Sequence, residues 1–407
     1  MGKDRILLCL CKMGGKEEEF IRKAFSDNWV VPLGPDVDAF ELALENFLLD
    51  NPENSVTQDS YFRLTRDKDK ICRKKISALS SGTAAIHLAL VELGIRASDE
   101  VIVQNLTFSA SANPVTYQGA TPVFVDSENS TWNIDPSLLE EAISDRLKKT
   151  GKLPKAIIPV HLFGMPAQMD AIMEIASKWQ IPVVEDAAEA FGSRYKGQMC
   201  GTFGRFGVLS FNGNKMITTS GGGALVCPDS GIKRDVIKYA TQSRESVPWY
   251  EHQNIGYNYR LSNISAAIGR GQMFVAEEYI AHHRWVQSCY REAFSTIPQI
   301  RLHENPSQDY DSNFWLSTIT FEEGAKVKGN DGCGNPEAMR RRLDMEGIET
   351  RHIWKPMHLQ PVFKDCPAYT TGVAEKIFES GLCIPAGPWV GEKEIFRIIT
   401  AIKQNLG

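Results

Sequence analysis

The sequence predicts an α/β protein with a mostly parallel sheet flanked by helices, followed by a smaller α+β domain. Three observations lead there. Between Gly82 and about Gly223, short apolar runs alternate with helix-like stretches, the pattern of strands joined by helical crossovers. After about Tyr257 long helical stretches replace that alternation. Residues able to carry chemistry (His161, Asp186, Ser210) fall at or near the ends of predicted strands, where parallel sheets place their ligands.

In chain order, Gly82 to Leu93 reads as a helix, with Ala84, Ala85, Leu88, Ala89 and Val91 at near-helical spacing after a Ser-Gly-Thr start. Strands are predicted at Glu100 to Val103, Thr121 to Val125 and Ala156 to Val160. A helix from about Ala167 to Trp179 follows, then strands at Val183 to Glu185 and Val208 to Phe211. Beyond Tyr257, helices are expected over Ser262 to Ile280 and Ala281 to Phe294. A polar region from Asn305 to Asn335 contains a turn-rich loop at Asp331 to Pro336. A strand at Ile348 to Ile353 and a helix at Glu392 to Asn405 complete the reading. The expected division is a large domain over 1–256 and a small one over 257–407, with residues 1–33 packing on the small domain. Asn51 to Lys75 is polar and basic (Arg63, Arg66, Lys68, Lys70, Arg73, Lys74, Lys75) and reads as a surface excursion.

The chain has 407 residues, enough for one large core and a smaller domain. A net charge of -5 argues against nucleic acid or an anionic membrane as a partner. The apolar run Ile6 to Leu10 is too short for a secretory signal, and no stretch approaches the ~20 apolar residues that span a bilayer. Nine cysteines, an odd count without a CxxC, argue against a disulfide framework or zinc site and fit free thiols in a reducing cytoplasm. The eight histidines show no metal-ligand spacing, and His282-His283 reads as a solvated helix pair, so no metal is expected. Gly201 to Gly207 has the wrong glycine spacing for a dinucleotide fingerprint.

The chemistry rests on two segments, Val183-Val184-Glu185-Asp186-Ala187-Ala188-Glu189 and Ser210 to Thr219. Lys215 stands alone among small and polar residues. A lysine that attacks an aldehyde and a carboxylate that holds a protonated ring nitrogen are the two groups pyridoxal 5′-phosphate (PLP) chemistry needs. Asp186 ends an otherwise apolar strand, and a buried carboxylate needs a partner. A protonated pyridine nitrogen supplies one; capping of the next helix is an equal alternative. Ser81-Gly82-Thr83 opens a helix whose unpaired amides suit a phosphate, although an ordinary capped helix has the same sequence. Phe108, after a strand, could stack on a planar ring or fill the core.

The ordered motifs SGTAAIHLAL, TFSASANPV, HLFG, VVEDAAEAFGS, SFNGNKMITTSGGGAL and GYNYRLSNISAAIG resemble the DegT/DnrJ/StrS family of PLP-dependent nucleotide-sugar aminotransferases. The resemblance runs from about Gly34 to the C-terminus. It implies the aspartate aminotransferase-like fold type I. It makes Lys215 the lysine bonded to PLP and Asp186 the partner of the pyridine nitrogen. Gly82, Thr83 and Ser210 would hold the phosphate, Phe108 would stack on the ring, and Glu189 would lie near the 3-hydroxyl. Asn258 would reach the phosphate of the partner subunit's site, which implies a homodimer with shared active sites. Glu349 to His358 and the EDAAEA and SFNGNK segments resemble members that aminate C4 of a UDP-linked 4-keto-6-deoxy sugar, bacillosamine-pathway enzymes in particular. There Arg351, Trp354, Lys355 and His358 would contact the nucleotide-sugar substrate or the amino donor glutamate. A C3-aminating member shares every cofactor residue. A dehydratase of the family carries histidine at the lysine position, which Lys215 opposes. A non-catalytic regulator is opposed by the full cofactor set. The Asn51 to Lys75 excursion departs from the family pattern.

Overall fold

The computed structural model describes residues 5–49 and 74–407, so residues 51–73 of the basic excursion lie outside the described residues. The strands are β1 (Lys75–Leu79), β2 (Glu100–Gln104), β3 (Thr121–Val125), β4 (Ala156–Ile158), β5 (Val184–Asp186), β6 (Arg194–Tyr195), β7 (Gln198–Met199), β8 (Phe206–Ser210), β9 (Gly223–Cys227), β10 (Ile300–Leu302), β11 (Tyr310–Asp311), β12 (Ser317–Phe321), β13 (Arg351–His352), β14 (Ala368–Tyr369) and β15 (Gly381–Ile384).

Two four-stranded sheets, ordered β1-β9-β8-β5 and β4-β2-β3-β14, meet through parallel bridges Ile157–Val183 and Val160–Asp186. β9 runs against β1 and β8; the other pairings are parallel. The strands are near-continuous apolar runs because helices cover both faces. Their carboxyl ends therefore share one edge, which brings together the segments after β1, β2, β5 and β8.

The helices are α1 (Glu17–Ser26), α2 (Pro35–Leu48), α3 (Gly82–Glu92), α4 (Asn113–Tyr117), α5 (Pro136–Thr150), α6 (Met169–Trp179), α7 (Ser230–Ala240), α8 (Asn263–Met273), α9 (Ala276–Phe294), α10 (Asn335–Met345), α11 (Val373–Ser380) and α12 (Glu392–Asn405). Their starts follow local chemistry. Ser81 accepts from the Ala84 amide at the start of α3, and Asp135 accepts from Ser137 before Pro136 opens α5.

The C-terminal part contains an antiparallel sheet, β10-β12-β15-β13. With α9, α10 and α12 it encloses a core around Tyr290, Ile319, Leu343, Ile348 and Ile398. The chain's first described residues cross to it. The Ile6 amide donates to Gly347 O (2.9 Å), Glu349 N donates to Ile6 O (2.9 Å), and Ala386 N donates to Leu8 O (2.9 Å).

The structure corrects several local expectations. The break between the two long helices falls at Phe274–Val275, not at Ile280–Ala281, because α8 ends against α1, where Gly271 lies directly over Glu17. His283 is fully buried rather than solvated; its Nδ1 meets Phe314 O at 3.2 Å. The region 305–335 hides the core strand β12 and the buried Trp315. Within 348–353 only Arg351–His352 pairs as a strand, while Ile348 bridges to Ile6.

Candidate active site

A cavity of about 360 Å³ opens at the carboxyl edge of the main sheet. Its lining includes Gly82, Thr83, Phe108, Asp186, Glu189, Ser210, Lys215 and Trp354. Eight of the residues singled out in the sequence thus meet in one place, although they come from segments far apart in the chain.

Asp186 is the last residue of β5 and is 4% exposed. Its Oδ1 accepts from the Ala188 amide (3.1 Å), so it does cap the turn that follows. Its Oδ2 accepts from Ser111 Oγ (2.6 Å). The capping and cofactor readings are therefore compatible, since each carboxylate oxygen carries a second lone pair.

Lys215 Nζ lies 3.5 Å from Glu189 Oε1 and 3.9 Å from the centroid of the Trp315 ring. The ring face and carboxylate hold an ammonium in a nearly dry setting. Glu189 Oε2 also accepts from the Phe163 amide (2.7 Å). Burial pushes the Glu189 carboxyl up, against the pull of Lys215 and that amide. The lysine loop is fastened from behind by the N-terminal segment. Cys11 Sγ donates to Lys215 O (2.7 Å), Cys9 Sγ donates to Asn214 O (3.2 Å), and Trp315 Nε1 donates to the same carbonyl (2.6 Å). Burial raises the Cys11 thiol to about 12, so it stays a neutral donor. The eight described cysteines are all free.

The residues fit a phosphorylated pyridine. The first-turn amides of Gly82 and Thr83 have no intrahelical acceptor and open on the cavity beside Ser210. The backbone here is packed too closely for side chains: a Cβ on Gly223 would lie 2.4 Å from the Gly82 nitrogen, and one on Gly82 would lie 3.2 Å from Ser210 Cβ. The carboxylate of Asp186 and the amine of Lys215 line the same space.

Phe108 is 57% exposed, with its ring 6.0 Å from that of Trp354. Trp354 borders a second cavity of about 550 Å³, lined also by Arg5, Arg340, Arg351, His352 and Lys355. Arg351 and Lys355 are exposed at that rim. His358 lines neither cavity. Its ring nitrogens meet Asn105 Oδ1 (3.0 Å) and Glu375 Oε1 (2.8 Å). Asn258 is exposed, bridges to Thr241 and lines neither cavity.

Sequence reasoning missed Ser111, Thr107 and Trp315. The first two sat unremarked inside the TFSASANPV motif. Trp315 lay within a stretch that reads as polar. Glu185, next to Asp186, faces the opposite side and is wholly buried. It accepts from Gly201 N (2.8 Å) and Gly204 N (2.5 Å) and pairs with His161 Nε2 (3.1 Å). The Ala167 amide donates to His161 Nδ1 (3.0 Å), so the imidazole carries its proton on Nε2 and donates it to Glu185.

Fold and site together define a fold type I PLP-dependent enzyme. Residues 68–403 match the model of the DegT/DnrJ/EryC1/StrS aminotransferase family, and the chain belongs to that family. It is a PLP-dependent sugar aminotransferase. It is 40% identical to EpsN of Bacillus subtilis (strain 168), assigned by name as a pyridoxal phosphate-dependent aminotransferase, over 98% of this chain and 95% of that one. It is 33% identical to GDP-perosamine synthase of Escherichia coli O157:H7, covering 96% and 95%. Among solved structures, a DegT DnrJ EryC1 StrS aminotransferase from Brucella abortus superposes with a TM-score of 0.82 at 27% identity, covering 96% and 95%. Among the described residues, no helix is long and apolar enough to cross a membrane.

Proposed function

We propose that this protein transfers an amino group from glutamate to C4 of a UDP-linked 4-keto-6-deoxy sugar. The observation that carries the reading is the convergence of Lys215, Asp186, Glu189 and the α3 start on one cavity, which shares Trp354 with a second cavity lined by exposed cations.

Bound PLP would supply an electron sink and a carrier for the amino group. The chain's own residues do the rest. Gly82, Thr83 and Ser210 hold the phosphate, and Phe108 covers a face of the ring. Asp186 pairs with the ring nitrogen, and Glu189 stands by the 3-hydroxyl. Lys215 would be the amine that bonds the cofactor's aldehyde, and its Nζ, once free, would be the base that carries the proton taken from the donor's Cα. Trp315 and Glu189 keep that nitrogen in place and the floor dry. Arg351 and Lys355 suit a diphosphate, Trp354 a sugar ring, and His358 is tied to the buried Asn105.

A homodimer belongs to the same reading. Tyr117, Trp249, Tyr250 and Ile255 are each more than half exposed, as is Phe108 at the cavity mouth. A second copy would cover such surface and bring its Asn258 to the phosphate. The division into domains 1–256 and 257–407 and a cytoplasmic location complete the proposal.

The relatives named GDP-perosamine synthase favour a second reading in which the nucleotide is GDP. The test is an absorption spectrum of the PLP-loaded protein before and after glutamate, then after the UDP-linked ketosugar, then after a GDP-linked one. A cofactor band that bleaches with glutamate and returns with the UDP sugar, with a 4-amino sugar formed, supports the proposal. Return only with the GDP sugar replaces the substrate, and formation of a 3-amino sugar replaces the position. Absence of any band removes the roles given to Lys215 and Asp186.

A further inference from the structure

We infer that Ser111, backed by Thr107, is a positioning residue that aims the Asp186 carboxylate at the cofactor's ring nitrogen. The inference rests on the role proposed above for Asp186.

Ser111 and Asp186 are both buried, and their contact at 2.6 Å is short and charge-assisted. Ser111 Oγ also lies 2.8 Å from Thr107 Oγ1. The direction of this pair follows from proton count. A carboxylate only accepts, so Ser111 spends its one hydroxyl proton on Asp186. Thr107 must then donate to Ser111. The result is a directed relay, Thr107 to Ser111 to Asp186, ending on Oδ2. The Ala188 amide occupies a lone pair of Oδ1. With one donor on each oxygen the carboxylate cannot rotate without breaking a bond in a dry site. Its remaining lone pairs are left for the cavity that Asp186 lines.

The local backbone joins this relay to the stacking ring. Phe108 caps the single turn Ser109–Ser111, and its carbonyl accepts from the Ser111 amide (3.1 Å). The segment 107–111 thus presents Phe108 to the cavity while its two hydroxyls hold the carboxylate. Placement of the ring face and of the ring nitrogen's partner is set by one turn.

The test compares affinities of the apo protein for PLP and for 1-deaza-PLP, which has C–H in place of the ring nitrogen. The readout is the ratio of the two dissociation constants, since a merely structural defect weakens both alike. Ser111→Ala is expected to cut the preference for PLP about tenfold, and Thr107→Val about threefold. Ser111→Thr, which restores the hydroxyl, should keep it. Ser111→Cys, nearly the same size but a poor donor, should behave like Ser111→Ala and serves if the alanine variant does not fold. Equal loss of both ligands, or no change in the ratio for any variant, overturns the inference. Wild-type protein that binds PLP no better than its deaza analogue overturns instead the pairing of Asp186 with the ring nitrogen, and with it the relay's purpose.

Discussion

The floor of the main cavity and the rim it shares, through Trp354, with the second cavity are built in different ways. On the floor, Asp186, Glu189 and Ser111 are each at most 5% exposed, and every one has a partner within the protein. On the rim, Phe108 is 57% exposed, Lys355 is exposed, and the Arg351 ion pair is with Glu349 two residues away at the surface. The floor is a set of strand ends and turns whose side chains have one arrangement. The rim is a set of solvated side chains. Removing one member of a buried charged pair costs roughly 3–5 kcal/mol, whereas an exposed pair is worth about 0–1 kcal/mol. The cofactor's chemistry is thus written into the backbone, and the choice of substrate is left to residues that can change at little cost to the fold.

The sharpest way to break this comparison is Lys215→Ala. Turnover is expected to fall by at least ~10³-fold, with loss of the cofactor's absorbance band, because no other amine reaches the cavity floor among the described residues. Retained turnover would sink the assignment. Asp186→Ala comes next, with kcat/KM down by about 10²–10⁴ and PLP held more weakly; steady-state kinetics and cofactor titration read both. A rim variant, Lys355→Ala, should raise KM for the nucleotide sugar about tenfold and leave kcat and PLP affinity unchanged. A fall in kcat equal to that of Asp186→Ala would erase the distinction between floor and rim.

The smallest effect concerns stability. Burial lowers the His283 pKa to about 3, outweighing the Phe314 carbonyl that opposes it. The fold holds this imidazole neutral, while the unfolded chain protonates it below its usual value near 6.5. The folded state therefore loses stability as pH falls from 6.5 toward 3, at up to about 1.4 kcal/mol per pH unit for this group. Thermal melts between pH 6.5 and 4 should show a shallower acid limb for His283→Gln than for the wild type; parallel limbs would reject the attribution.

Much of this molecule is legible before folding. The apolar runs that become β2, β3, β4, β5 and β8, the Ser81 cap of α3, and the placing of Lys215 and Asp186 all follow from local pattern. A strand's apolarity and a helix's first-turn chemistry are properties of neighbouring residues. Glu185 and Asp186 show where local reasoning ends. The two acids are adjacent and chemically alike, but alternate residues of a strand face opposite ways. One is consumed by His161 and two loop amides, and the other borders the cavity. Nothing in the pair itself says which. The same holds for Ser111 meeting Asp186 75 residues away, and for Cys11 meeting the Lys215 carbonyl across 204. The tertiary structure alone decided those contacts, because they depend on which strands lie side by side and which chain ends cross beneath them. The sequence by itself determined which groups were available at the sheet's edge; packing determined which of them were left free to act.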